Sequence, residues 1–152
     1  MIQMGVKPFE SRSWKMPNGI THLAIHAGQT MDWDAFEGPY RDIFLETFLL
    51  PPDASRADIE RAMPKSAIVC VCRVKPSIRC GEGKVFFCKK TAHQNARIFG
   101  DFAPGRYAWP VEPVLQCQPP IRVKGAQGIW KLPEEIERVL LKELSAGNAG
   151  AE

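Results

Sequence analysis

A chain of 152 residues, 45% hydrophobic and 24% charged, is long enough for one core, too short for two ordinary domains, and has the composition of a soluble globular protein. No apolar run approaches the roughly 18 residues needed to cross a bilayer, and Met1 to Gly5 does not read as a signal peptide. The net charge of +3 is mildly basic, so the expectation is a cytoplasmic protein with no membrane contact.

Near the start, Gly5-Val6-Lys7-Pro8-Phe9-Glu10-Ser11-Arg12-Ser13-Trp14 sets three ionisable groups among a glycine, a proline and two large aromatics. Gly5 can end a short helical turn in the left-handed region, and Pro8 pushes Lys7 out of helical geometry, so the chain beyond is expected to be extended. Glu10, Arg12 and Trp14 then share one face, with Phe9 and Ser11 on the other. Met16-Pro17-Asn18-Gly19 is turn chemistry ahead of a β-rich run, Ile20 to Ala27. Within that run His22 and His26 share the more polar face, either lining a cleft with the preceding segment or standing half-exposed.

From residue 31 to 50, Trp33, Phe36, Tyr40, Phe44 and Phe48 recur at helical spacing, and Gly38-Pro39 splits the pattern into two pieces. Pro51-Pro52 stops the second. Ser55 is a good N-cap for Arg56 to Met63, with Asp58 in the favoured first turn and Pro64 closing the helix. Between Asp32 and Ala62 eight acids stand against three bases, so the region reads as an acidic helical insert, a lid or a flank to a cleft.

Ser66 to Val74 is an apolar strand. Residues 75 to 90 suggest a loop or hairpin around Val85-Phe86-Phe87, and Thr91 can cap a short helix, Ala92 to Ile98, bearing His93 and Arg97. Arg106 to Val111 is a strand with Tyr107 and Trp109 on one face, as wall or as stacking surface. Residues 113 to 120 hold three prolines and are expected to run extended along an edge. Gly125 and Gly128 permit a turn that brings Lys124 near Trp130. Pro133, then Glu134 and Glu135, then Ile136, Val139, Leu140 and Leu144 on one stripe, describe an amphipathic helix over 132–147 ended by Gly147, with a disordered tail at 148–152.

The odd count of five cysteines, two of them inside the strand at Cys70 and Cys72, reads as reduced thiols. Cys70, Cys72, Cys80 and Cys88 fall within a short span, but Cys80 and Cys88 are singletons without the tight knuckle spacing of zinc ligands. No metal or other cofactor is expected. From Ser66 to Lys131 eleven bases face three acids, and a polyanion is a natural partner for such a surface; a solvated basic face is the plainer alternative.

The pattern Gly-x-Lys-x-x-Glu-x-Arg, filled by Gly5, Lys7, Glu10 and Arg12, resembles the signature of the ASCH domain, a member of the PUA-like group. Ile20 to Ala27, Ser66 to Val74, Gly105 to Trp109 and Val123 to Trp130 look like that family's later strands, in order. The resemblance implies an α+β fold: a PUA-like (ASCH) mixed β-barrel over 1–131, with a helical insert at about 31–63 and flanking helices. Members usually carry a strand and a helix before the motif, so a start at Met1 reads either as placed too far downstream or as lacking that strand and part of the helix.

RNA binding is the function the resemblance implies. A nucleic-acid site would comprise Lys7, Glu10, Arg12, Trp14 and Lys124: cations for phosphate, a carboxylate for an exocyclic amine, an indole for stacking. Catalysis stays open, because some relatives hydrolyse acetylated cytidine or cleave RNA. In the amidohydrolases, however, a threonine follows the motif lysine by three positions. Glu10 stands there instead, a base for water rather than an activated hydroxyl. Lys7 and Glu10 would be the catalytic candidates in an RNA-cleaving alternative. Two further readings are an ion pair between Glu10 and Arg12 that merely pins the strand, and a protein adaptor working through the acidic helices.

Overall fold

The computed structural model describes residues 1–81 and 99–148. The hairpin expected around Val85-Phe86-Phe87, the helix from Ala92 to Ile98, Cys88 and residues 149–152 lie outside the described residues. The fold is α+β: a curled antiparallel sheet forms a half-barrel, with helices packed around it.

The sheet is organised on one long strand. β1 (Phe9–Arg12), β2 (His22–Ala27), β3 (Ala67–Val74) and β4 (Ile78–Arg79) all precede β5 (Tyr107–Arg122), and the order across the sheet is β1-β5-β3-β2, with β4 also on β5. β5 spends its first four residues on β1 and the rest on β3, switching at Val111, which pairs with Val74. The prolines of 113–120 therefore lie inside a strand rather than in a separate extended segment. They are tolerated because, among the described residues, this stretch is paired only on its β3 side, and a proline's missing N–H costs nothing where no ladder is formed.

Strand β3 is the hydrophobic centre, buried at seven of its eight positions. One face of the sheet packs Cys70, Cys72, Val74, Trp109, Val111 and Met16 into the hollow of the half-barrel, where Ile2, Ile20, Leu23 and Ile25 join them. The other packs Ile68, Val71 and Cys117 beneath helix α4 (Glu134–Asn148) through Ile136, Leu140 and Leu144. Leu23 and Ile25 thus face the hollow and Ala24 faces α4, as strand alternation requires. The helix runs one residue past Gly147, where a stop was expected, so Asn148 is helical.

The insert folds as expected. α1 (Trp33–Glu37) ends at Gly38, α2 (Arg41–Thr47) follows, and α3 (Arg56–Ala62) begins at a capping box in which Ser55 and Asp58 satisfy each other's backbone N–H. Gly38 is obligatory, since a Cβ there would lie 2.5 Å from the Asp34 carbonyl oxygen. The Arg41 guanidinium donates to the carbonyls of Phe36 and Ala54, both at 2.8 Å. These bonds tie the three helices around a small core of Phe36, Leu45, Ala54 and Ile59.

One expectation is corrected. Val123 to Trp130 does not form a closing strand: β5 ends at Arg122 and the chain to Pro133 is irregular. All the strand pairings among the described residues are antiparallel, and β1 and β2 remain the two edges of an open sheet. Instead of adding to the ladder, the segment folds over the end of β2, with Gly125 packed directly on the His26 ring.

Candidate functional site

The motif residues meet in one charged corner. Gly5 adopts φ +70° and its N–H bonds the Ile2 carbonyl at 2.8 Å, closing the turn that delivers Lys7 to the sheet. β1 then pairs antiparallel with β5, Glu10 opposite Trp109 and Arg12 opposite Tyr107. Glu10 pairs with two cations: it accepts from Lys7 Nζ at 2.5 Å on one carboxylate oxygen and forms an ion pair with Arg12 Nη2 at 3.0 Å on the other. Lys7 and Glu10 are largely covered, 17% and 18% exposed, while Arg12 is 46% exposed. The pair expected between Glu10 and Arg12 exists, but Lys7 is largely covered rather than solvated; it completes a triad of which Arg12 is the exposed member.

Beside this corner lies a cleft of about 640 Å³ between the two sheet edges. Glu10, Arg12 and Trp14 form one side, β2 from His22 to His26 the other, and Trp109 and Val111 the floor. Trp109 is 2% exposed and Trp14 38%. Their rings meet edge to face, centroids 4.6 Å apart at 80°, and the Trp109 indole N–H donates to the Trp14 carbonyl at 3.2 Å. This arrangement fixes Trp14 so that a half-exposed aromatic surface is held at the cleft mouth.

The outer wall comes from Ala126, Gly128, Ile129, Trp130, Lys131 and Leu132, followed by Glu137 on α4. Of the five residues expected to build a site, Glu10, Arg12 and Trp14 line this cleft. Lys7 borders a second groove of about 550 Å³, next to the insert, and Lys124 is exposed without lining either. Lys131 supplies the cation on that wall. The residues that sequence reasoning missed here are Lys131, Glu137 and Ile2. His22 and His26, expected either to line a cleft or to stand half-exposed, both line it, together with Leu23 and Ile25 of the other parity; the register slip between Ile25 and His26 breaks the simple alternation.

The insert has no residue in the cleft; Met31, Phe36, Tyr40, Phe44, Phe48 and Met63 flank the second groove instead. Ser11 is also directed away, its hydroxyl accepting from the Asp101 N–H at 3.1 Å. Cys70, Cys72, Cys80 and Cys117 are buried and free. The Cys70 and Cys72 sulfurs lie 3.8 Å apart; their hydrogen bond and burial push the Cys70 thiol up. Burial does the same to Cys80 and Cys117, so these three thiols are packing groups at neutral pH, while the bond with Cys70 pulls Cys72 the other way. Among the described residues no cluster of three metal-ligating side chains occurs, and no helix is long and apolar enough to cross a membrane.

Chemically, the cleft offers a planar aromatic surface, an exposed guanidinium beside a carboxylate, a lysine opposite, and an apolar floor. A scan of the chain against protein-family models finds no match, and a search of curated proteins finds no significant relative.

Proposed function

We propose that the chain is an RNA-binding module of the ASCH type, within the PUA-like group, and that it takes one unstacked base of a single-stranded segment into the cleft between β1 and β2. The observation that carries this reading is the convergence of Arg12, Glu10 and Trp14 on one wall with Trp130 and Lys131 on the other. Cations at the mouth hold phosphate, which supplies affinity. Trp14 stacks on the base, and the carboxylate edge of Glu10 accepts from an exocyclic amine. A cleft of about 640 Å³ is within the size range of small-ligand sites, roughly 300–1,000 Å³, and too confined for a duplex.

Arg12 is the cation assigned to phosphate, because it is 46% exposed and lines the cleft, whereas Lys7 is 17% exposed and lies outside it. The test is fluorescence anisotropy of single-stranded RNA over a series of salt concentrations. The native chain is expected to bind with affinity that falls steeply as salt rises. Arg12→Ala should weaken binding and reduce the slope of log affinity against log salt by about 0.7, the contribution of one phosphate contact on a single strand. Affinity that ignores salt, or an Arg12→Ala slope equal to the native one, would refute the assignment.

A further inference from the structure

The outer wall of the cleft is held in an unusual way. Val123 N–H bonds the Ser66 carbonyl at 3.1 Å, and at the far end Ile136 N–H bonds Pro133. Between them, among the described residues, the backbone of 124–132 makes no backbone hydrogen bond. A segment with that little ladder support would ordinarily sample many positions.

Val123 and Leu132 anchor its two ends in the core beneath α4, and its contact with β2 runs through one side chain. His26 Nε2 lies 2.9 Å from the Val123 carbonyl oxygen; a carbonyl only accepts, so Nε2 carries the proton. Gly125 crosses directly over the same ring: a Cβ on it would lie 2.5 Å from Cε1, 2.7 Å from Nδ1 and 3.1 Å from Nε2. Trp130 meets the ring edge to face, centroids 5.8 Å apart at 76°. Three points of one segment, at 123, 125 and 130, thus converge on a single imidazole. The β2–β3 register slips between Ile25 and His26, and such irregularities re-aim a side chain and increase local twist.

We propose that His26 is a positioning residue: it latches the 123–132 segment to the end of β2 and so sets the width of the cleft between Trp14 and Trp130. Its effect on ligand affinity rests on the RNA reading above; its effect on the wall does not. Glycine at 125 is part of the same device, because no other residue lets the chain lie flat on the ring.

The experiment uses the full chain and two readouts: hydrogen exchange without ligand of the Val123 amide, which is bonded to the Ser66 carbonyl at the foot of the segment, and anisotropy with single-stranded RNA across salt. His26→Ala is expected to speed exchange at Val123 and to weaken RNA binding by about tenfold, the scale of one hydrogen bond and its packing. The salt slope should stay native, because the phosphate contacts remain. His26→Gln, which keeps an N–H donor, should recover part of both effects, and it serves as the variant of record if the alanine protein does not fold. Gly125→Ala should mimic His26→Ala. The double variant should be no worse than His26→Ala alone, since the new methyl then meets no ring.

Exchange at Val123 that is unchanged by both His26 variants overturns the latch. Faster exchange with native affinity overturns its role in positioning. A native protein that binds no RNA overturns the RNA reading instead, and the exchange result still accepts or rejects the latch.

Discussion

Two charged corners of this molecule look alike on paper and differ in what surrounds them. At the motif, Glu10 holds Lys7 and Arg12, largely covered, against a floor of Trp109. In the insert, Glu37 takes a bidentate grip from Arg56, whose guanidinium also stands 4.8 Å over the Trp33 ring. Glu37 and Arg56 are both well exposed. Water screens the second corner, so its pairing orders a surface. The first is shielded and opens on a cleft, where one cation stays exposed. Shielding and an adjacent cavity separate a candidate site from a decorated surface; the number of charges does not.

The largest effect is expected from the floor the first corner rests on. Trp109→Ala removes a ring that is 2% exposed and should cost about 3–5 kcal/mol, the usual range for truncating a buried aromatic. Urea unfolding measures it, and a loss under 1 kcal/mol would mean that the floor is not part of the core. Glu10→Gln comes next. It strips the covered Lys7 of its counter-charge and should lower stability by about 1.5–3 kcal/mol, with a parallel loss of RNA affinity. An unchanged midpoint would reduce the motif corner to the status of the insert corner.

The smaller effects lie in the insert. Arg56→Ala should leave RNA binding native and move the unfolding midpoint less than either change above; an effect on binding would erase the distinction between the corners. Smallest is the acid response of α3. Hydrogen bonds from Ser55 hold the Asp58 carboxyl below its ordinary value of 3.8. Its contribution is therefore fully present above that value and lost as pH falls through the depressed one. Ser55→Ala should shrink this step in an acid titration of helicity, leaving the part due to the residue-55 backbone N–H and Arg61, and leave the rest of the curve in place.

Local chemistry was legible where local forces decide. The turn at Pro17 to Gly19, the Ser55 cap, the Gly38-Pro39 break and the stripe of Ile136, Leu140 and Leu144 were all written in neighbouring residues, and the structure places each as expected. Illegible features depended on partners far along the chain. Prolines at 113, 119 and 120 masked the longest strand, because what they forbid is a ladder on both sides, and sequence does not say which sides are paired. Val123 to Trp130 carries β-branched and aromatic residues in a strand-like order, yet contact between Gly125 and His26, nearly a hundred positions earlier, turns it into a wall. Trp14, Glu10 and Arg12 could be grouped by alternation alone; Lys131 and Glu137 could not, since only the fold of that wall brings them round.

The shared use of β5 has a consequence for how such a site can diversify. Trp109 and Val111 are at once the floor of the cleft and members of the core, on the strand that joins β1 to β3. Changes there are filtered by folding before any ligand is met. Ala126, Ile129 and Lys131 stand on a segment outside the ladder, where a new side chain alters the cleft without touching the sheet. Divergence in what is bound should accumulate on that one stretch, while the opposite side stays nearly fixed.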